Sequence, residues 1–477
     1  MKHLKTLVVL ALAFAFAAPA YAQTQNVKVS GSLGIYAFAR GDYDLKKGND
    51  VGSVAAGTAF PSTVAGSLVQ RSDTDTFLMS QTQLQVAADL TDNVSTVVAL
   101  ANERDWNADI FGTAGTTSVG DNQAAEFDVE LTQAYVTMKE IFYSPLTIRV
   151  GRQPLWFGRG FIIGNNSATW DSQGTIEANE YSANGAFDAI RATLDFNPWT
   201  VDFVYSKIAE NNHNPEDDRD FWFTNVNYKF SEYNAVAEGY FMADADRGTL
   251  ASSTRGTENN TTYTLGGRAQ FDPISQMTLG AELAYQGGHY MIAVTNPRER
   301  DRQAWGADLF GTYRFENAWK PEVTVEYVHF SGEDDLSNQS LQGYGAWNLL
   351  YRGKFWTAIE DFREVVYQTA DTADQGASTN HDMFQLQSTF KPMNDLKLLG
   401  SVSWFWNDAT VHTTSNDPGS AGHSKDIGTE IDLQATYDYT EDVSFGLLAA
   451  WFIPGNYYVS GTDSTATDIV SSVKVAF

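Results

Sequence analysis

Polar and apolar residues alternate with a period of two along most of the chain after residue 22. The C-terminal segment is the clearest case, because Val473, Val475 and Phe477 share one side while Lys474 lies on the other. Successive side chains of a β-strand point to opposite faces, so this alternation predicts half-buried strands. A strand that ends the chain with Phe is typical of bacterial outer-membrane barrels, although a terminal Phe alone is a weak signal.

The same pattern recurs in residues 27–40, 265–271, 279–286 and 430–439. In segment after segment one face carries charged side chains and the other carries Val, Leu, Ala, Tyr or Phe. A soluble β-sandwich would pack its apolar faces together and would not need so many charges on the others. A lipid-facing wall around a water-filled lumen explains both faces, so the sequence predicts an all-β transmembrane barrel.

The connections between these segments alternate in length. Short turns such as 91–93, 197–199 and 440–442 alternate with long polar stretches such as 41–75, 154–184 and 332–380. This asymmetry is typical of short periplasmic turns and long extracellular loops, and it predicts an antiparallel up-and-down barrel. Counting hairpins gives about 18 strands, with about 16 as the alternative.

Residues 1–22 have the pattern of a cleavable signal peptide. Lys2 and Lys5 precede an apolar run from Leu7 to Ala18, and Ala20-Tyr21-Ala22 forms a small-x-small cleavage site. The alternative, a membrane anchor, is disfavoured because the run is shorter than a membrane-spanning helix. We therefore predict export through a signal peptide over 1–22 and a single barrel domain over 23–477, located in the bacterial outer membrane.

Composition removes several classes of protein. The chain of 477 residues contains no cysteine, which excludes disulfides, Cys-ligated metal sites and a thiol nucleophile. Its 31 Lys and Arg against 59 Asp and Glu give a formal charge of −28, which disfavours nucleic-acid binding. Much of this charge lies in predicted loops, where salt screens it over about 8–10 Å, so the total does not set the selectivity of a pore.

Several motifs resemble those of the bacterial alginate export family of outer-membrane proteins. The stretch 148–153, Ile-Arg-Val-Gly-Arg-Gln, precedes Trp170 and the Phe-Asp-Ala-Ile-Arg of 187–191. Similar segments follow in order at 282–288, 319–334 and 428–455. The resemblance implies an 18-stranded barrel that passes an anionic polysaccharide through a basic constriction, and it implies that Arg149, Arg152 and Arg191 belong to the pore.

The phase of the alternation gives the direction of many charged side chains. An arginine facing lipid near the midplane would cost about 2–4 kcal/mol, so arginines between apolar neighbours are expected to face the lumen. Arg152 is out of phase with Arg149, and its direction stays open. The predicted pore-lining residues are Arg149, Arg152, Arg191, Arg268 and Arg314 together with the acids Asp188, Glu282, Glu326, Glu430 and Asp432.

Two interpretations of these charges remain open. The arginines attract anionic groups while the carboxylates shape a transverse field, or arginines and carboxylates simply satisfy each other across the wall. The long connections 154–184 and 332–380 are candidates to fold over or into the mouth. In the second, basic and aromatic side chains suit contact with sugar rings, although a loop with its own small hydrophobic core is the alternative; the candidates are Arg352, Lys354, Trp356 and Arg363.

No catalytic motif accompanies the barrel pattern. The seven histidines form no His-Glu-x-x-His site, and no Gly-x-Ser-x-Gly elbow is present, so we predict no enzyme, no cofactor and no metal. The expected partners are outer-membrane lipid and lipopolysaccharide, an anionic polysaccharide or small anionic solute, and periplasmic export proteins. The alternatives are a general diffusion porin for small ions and nutrients, and a structural or adhesive barrel plugged by its loops.

Overall fold

The structure is a computed structural model. It describes residues 26–43, 45, 74–106, 129–143, 145–169, 178–210, 218–247, 260–292, 298–333, 343–362, 379–410, 424–458 and 463–477. The predicted signal peptide and the loop candidate Arg363 lie outside the described residues.

Strands account for most of the described chain. In chain order they are β1 (Asn26–Gly41), β2 (Thr74–Thr91), β3 (Val94–Asp105), β4 (Glu130–Met138), β5 (Leu146–Gln153), β6 (Phe187–Asp195), β7 (Trp199–Ala209), β8 (Arg219–Lys229), β9 (Val236–Asp246), β10 (Asn260–Ile274), β11 (Met277–Ile292), β12 (Arg298–Arg302), β13 (Ala304–Arg314), β14 (Glu322–Phe330), β15 (Gly343–Tyr344), β16 (His381–Met393), β17 (Leu396–Trp406), β18 (Asp426–Asp438), β19 (Val443–Pro454) and β20 (Ala466–Ala476).

These strands form one closed antiparallel barrel. From β1 to β11 and from β16 to β20 each strand pairs with the next along the chain, β13 pairs with β14 and β14 with β16, and β1 pairs with β20 to close the ring. β12 and β13 both pair with β11 and are separated by Gln303, so together they make one wall strand. β15 has two residues and pairs with β12 in parallel. The described residues therefore supply 18 wall strands, which confirms the predicted count.

The two faces of the wall differ as the alternation predicts. On β10 and β11, Leu265 is 66% exposed on the outer face, whereas Glu282 on the inner face is 3% exposed. Rings at the ends of strands are exposed on the outside, as an interfacial aromatic belt requires; examples are Phe196, Trp199, Phe230, Phe315 and Tyr439. The outer face is therefore apolar and the inner face is polar.

Two connections fold inward between the strands. We call residues 154–169 and 178–186 the first inserted segment and residues 343–362 the second. They join through a parallel bridge between Ile163 and Tyr351, and the amides of Gly164 and Gly353 donate to carbonyl oxygens of the other segment at 2.8 Å each. The two segments therefore form one unit.

A hydrophobic core anchors this unit to the inner wall. Phe161 of the first segment and Trp347 of the second pack with Phe330 of β14. Further along the first segment, Ala178 and Tyr181 pack against Tyr36 and Phe38 of β1. The inner wall therefore carries apolar residues where the segments lie, and the predicted inward folding of these two connections is found.

Helical structure in the described chain is confined to short turns. Three 3-10 turns occupy Ile141–Tyr143, Ser167–Thr169 and Asn179–Tyr181, and a further helical turn begins at Glu360. No helix among the described residues is long and apolar enough to cross a membrane.

Candidate pore lining

The end of β5 directs the chain from the wall into the lumen. Gly151 has φ +121°, and a Cβ there would lie 2.2 Å from the carbonyl oxygen of Ala134, so only glycine fits without strain. Gln153 is fully buried and its amide donates to the carbonyl oxygen of Ala189 at 2.8 Å. Pro154 follows, and the first inserted segment begins. The Gly-Arg-Gln motif therefore marks the entry of this segment.

Arg149 and Arg191 lie directly opposite each other on β5 and β6. We call them the arginine pair. Both arginines share the inner face with Ala189, a member of the luminal core. Ile190, which lies between Ala189 and Arg191 on β6, is exposed on the outer face. The predicted inward direction of the two arginines is the direction found. Like charges directly opposite on neighbouring strands repel and destabilise a sheet.

The surroundings of the pair neutralise only part of its charge. The Nε of Arg191 donates to Oδ1 of Asp202 at 2.8 Å, and its guanidinium lies 4.9 Å from the ring centre of Phe157. The Nε of Arg149 donates to the hydroxyl of Thr137 at 3.2 Å, and its guanidinium lies 4.7 Å from the ring centre of Tyr135. Within the described residues no carboxylate pairs with Arg149, so the pair keeps a net positive charge.

Arg152 and Asp188 lie on the opposite face of the wall from the arginine pair. They face each other on β5 and β6, with a distance of 3.4 Å between Nη1 and Oδ2, and Asp188 is 64% exposed beside the outward Ile190. The inward prediction for Asp188 is wrong, because it lies three positions before Arg191 and strand parity puts residues an odd number of positions apart on different faces. Arg152 also points outward, which settles the direction that phase left open.

A row of charges crosses the inner wall from β9 to β13. Arg268 lies opposite both Glu238 and Glu282, and Glu282 lies opposite Asp308. We call these four residues the inner charged row. Nη1 of Arg268 lies 2.5 Å from Oε1 of Glu238, and the hydroxyl of Tyr240 donates to Glu282 at 2.9 Å. Arg268 and Glu282 therefore face the lumen as predicted, and each has a polar partner in the wall.

The first inserted segment reaches this row through its tip. A Cβ on Gly158 would lie 3.3 Å from Cδ of Arg268 and 3.4 Å from Oε2 of Glu282. The next residue, Arg159, lies 2.9 Å from Asp308 and 2.9 Å from Glu326, and its guanidinium stacks at 3.6 Å from the ring centre of Phe310. Arg159 is not among the pore-lining residues predicted from the sequence. The Gly158 and Gly160 that flank it, both with positive φ, are the signal of a tight turn.

The second inserted segment brings its own cation to the same carboxylates. Lys354 pairs with Glu326 and lies 3.6 Å from Asp308, while the indole of Trp356 donates to Glu326 at 2.7 Å. Burial lowers the pKa of Lys354, and the two carboxylates oppose that shift. Lys354 and Trp356 thus contact carboxylates of the wall; contact with sugar rings was one of the two roles considered for them, beside a loop with its own hydrophobic core.

The other predicted residues fall into two groups. Glu430 accepts the amides of Ile359 and Glu360 at 2.7 and 2.8 Å, so it holds the second segment. Arg352 pairs with Asp361 of its own segment at 3.1 Å and is buried. These contacts give both residues structural partners.

Asp432 and Arg314 are the last two of the predicted pore-lining residues. Asp432 is buried and accepts the hydroxyl of Ser401 at 3.1 Å. Arg314, at the end of β13, faces Glu322 with 3.6 Å between Nε and Oε2 and donates to Thr278 at 2.9 Å. Arg314 therefore lies on the inner face at the periplasmic mouth.

Tyr351 fixes the second segment to the wall on the other side of the core. Its hydroxyl donates to Oδ2 of Asp244 at 2.6 Å, and the guanidinium of Arg219 lies 5.3 Å from its ring centre. Burial and the nearby carboxylate raise the pKa of Tyr351 well above its usual value, so the phenol keeps its proton and donates it.

A closed 18-stranded barrel with an apolar exterior and a charged interior defines an outer-membrane channel protein. The family model described as "Alginate export" matches residues 64–472, and the chain belongs to this family. The fold and the family are those of channels of the outer membrane, where such a barrel contacts lipid on its outside and solutes on its inside.

Solved structures of outer-membrane porins share the fold. The chain is similar to OccAB2 of Acinetobacter baumannii, with a TM-score of 0.54, 10% identity and coverage of 96% of this chain and 99% of that one. It is also similar to a BenF-like porin of Pseudomonas fluorescens Pf-5, with a TM-score of 0.52, 11% identity and coverage of 95% and 100%. No curated protein matches the sequence significantly. At these identities the likeness concerns the fold alone.

Proposed function

We propose that this channel carries anionic polysaccharide, or related anionic solutes, past the arginine pair. The observation that supports this most is the pairing of Arg149 with Arg191 on adjacent inner strands, with Asp202 as the one carboxylate partner among the described residues. Because the two arginines repel each other, an anion that lies between them stabilises the wall. In a narrow channel such charges select the ions that enter.

The aromatic rings beside the pair suit a sugar acid. Tyr135 and Phe157 each hold one guanidinium against a ring face, which orients the remaining N–H donors. A planar guanidinium binds a carboxylate through two parallel hydrogen bonds. The chemistry therefore fits a uronate carboxylate better than a neutral sugar, in agreement with the family to which the chain belongs.

Two alternative functions have support of their own. The acid excess of the chain and the likeness to porins favour a general diffusion pore for small solutes. The hydrophobic core that the two inserted segments form inside the wall favours a plugged barrel. These alternatives differ from the proposal in selectivity and in conductance, so one type of measurement separates all three.

The test is planar-bilayer conductance of the refolded protein in a salt gradient. We expect anion preference in the native protein, and a shift of the reversal potential towards cations in the variant with Arg149→Gln and Arg191→Gln. Addition of short uronate oligomers should block the current of the native channel and not of the variant. Neutral oligomers of the same length are the control ligand. Arg152→Gln, which changes an arginine on the outer face, is the control variant.

Each contrary result has a definite meaning. Cation preference that does not respond to the double substitution would contradict the proposal and favour the general porin. Block by uronate and neutral oligomers alike would remove the role of the carboxylate. A channel with no conductance in any variant would favour the plugged barrel.

A further inference from the structure

Three potential metal ligands meet outside the lumen, near the outer end of three successive wall strands. His329 of β14 lies directly opposite Asp382 of β16, and Asp408 follows the end of β17 by two residues. One ligand atom from each lies within 4.8 Å of the others. Because they are far apart in the sequence, no spacing motif reveals them.

Strand parity places His329 and Asp382 on the outer face of the barrel. On β14, His329 is next to Val328, which belongs to the luminal core, so His329 faces outward. On β16, Asp382 shares its face with Phe384, which is exposed on the outside. Trp305, which is exposed on the same face, stacks on the imidazole with 3.8 Å between ring centres. The cluster thus lies just beyond the outer aromatic rings, where the wall leaves the hydrocarbon layer.

The carboxylates of the cluster have no lysine or arginine ion-pair partner among the described residues. The ammonium of Lys425 contacts the backbone carbonyl oxygen of Asp408, and His329 is the basic side chain beside Asp382. Asp382 is 4% exposed, and its contacts are Nδ1 of His329 at 2.9 Å and the hydroxyl of Tyr327 at 2.6 Å. The carboxylate of Asp408 accepts the amide of Gly332 at 3.1 Å. Among the described residues no lysine or arginine side chain pairs with either carboxylate. A buried carboxylate without a cationic partner is costly.

A second observation concerns the imidazole itself. His329 is 3% exposed, and its Nε2 atom is buried without a hydrogen-bond partner within the described part of the chain. Buried polar atoms are nearly always paired in folded proteins. Nδ1 is the nitrogen that faces Asp382, so Nδ1 and the two carboxylates form the donor set for a cation, and Nε2 keeps the ring proton.

We propose that His329, Asp382 and Asp408 bind one divalent transition-metal ion at the outer rim. Imidazole with carboxylate oxygen favours ions such as Zn²⁺ or Mn²⁺ over Mg²⁺ and Ca²⁺, which prefer oxygen alone. Ligand atoms about 2.1 Å from a tetrahedral metal ion lie about 3.4 Å apart, so the 2.9 Å between Nδ1 and Oδ1 would widen by about 0.5 Å when the ion replaces the hydrogen bond. Such an ion would connect the ends of β14, β16 and β17.

The test is titration of tag-free, refolded protein in detergent with Zn²⁺ by isothermal calorimetry. We expect one ion per chain, with affinity lowered at least about tenfold by Asp408→Asn and by His329→Asn. His289→Asn is the matched control, because His289 is an exposed histidine beside Glu299 and Asp301. Saturating Zn²⁺ should also raise the unfolding temperature of the native protein and not that of Asp408→Asn.

Several results would overturn the assignment. Native affinity in both Asp408→Asn and His329→Asn, or binding abolished only by His289→Asn, would place the ion elsewhere. Displacement of Zn²⁺ by an equal concentration of Mg²⁺ would contradict a nitrogen-containing site. If His329→Asn fails to fold, Asp408→Asn decides, because its amide oxygen still accepts the amide of Gly332 and the fold is preserved.

Discussion

The two sides of the inner wall use arginine in different ways. On β9 to β14, Arg268 lies between two carboxylates, and Arg159 and Lys354 arrive from the inserted segments to meet Asp308 and Glu326. On β5 and β6, Arg149 faces Arg191 and not an acid. The first arrangement holds the inserted segments against the wall, whereas the second leaves a net positive charge that an anion in the lumen can meet.

The difference lies in the neighbours and not in the residue type. A buried charge must be paired, so the carboxylates of the inner charged row specify where the basic segments dock. A half-buried charge beside another of the same sign has no such role in folding. Inward direction therefore does not by itself identify a selectivity residue, and pairing within the wall separates the two roles.

The largest effect is expected when the two cations that join the inserted segments to the wall are removed. In the variant with Arg159→Met and Lys354→Met, Asp308 and Glu326 lose every basic partner that the described residues provide. Breaking a buried ion pair costs about 3–5 kcal/mol, so we expect the segments to detach from β13 and β14. Single-channel conductance should then rise several-fold. An unchanged conductance would show that the hydrophobic core alone holds the unit.

The next test compares one arginine from each side. Arg268→Gln leaves Glu238 buried without its ion-pair partner, and we expect a loss of about 3 kcal/mol in the free energy of unfolding. Arg149→Gln removes a repulsive neighbour and should leave stability within about 0.5 kcal/mol of the native value. Urea unfolding followed by tryptophan fluorescence measures both. Equal losses in the two variants would remove the distinction between the two sides.

A smaller effect should come from the contact between the two segments. An alanine Cβ at Gly164 would lie 2.7 Å from Cα of Gly353, so the backbones must separate. Overpacking of this kind costs about 1–3 kcal/mol. We expect Gly164→Ala to lower the unfolding free energy and raise current noise, and Gly343→Ala, whose Cβ would meet nothing closer than 3.8 Å, to change neither. Quiet native-like currents in Gly164→Ala would argue against a single rigid unit.

The barrel and part of its lining were predictable because their causes are local. A period of two needs only neighbouring residues, and it gave the wall, the strand count and the inward direction of Arg149, Arg191, Arg268 and Glu282. Parity also decides Asp188: it lies three positions from Arg191 on the same strand and therefore on the opposite face, so the inward prediction for it was wrong.

The contacts of the inserted segments could not be predicted in this way. Lys354 and Glu326 pair across 28 positions of sequence, and Arg159 and Asp308 across 149. Periodicity carries no information about such pairs, since they depend on how two irregular segments pack on each other. The basic and aromatic content of the second segment was compatible with a surface for sugars and with a loop that has its own hydrophobic core. In the structure these side chains pack the segment against the wall.

The smallest effect tests the outer face against the lumen. Arg152 lies one residue before the end of β5, where a lipid-facing arginine costs only about 0–1 kcal/mol, so Arg152→Leu should change stability by less than about 1 kcal/mol and leave the reversal potential unchanged. Val150→Arg puts the same side chain on the same face two residues further into the strand, near its middle, and we expect it to cost about 2–4 kcal/mol. Urea unfolding and salt-gradient recordings of both variants measure this. A reversal potential that moves with Arg152→Leu would mean that Arg152 contacts the permeating ion, and the division between the two faces would then fail at this position.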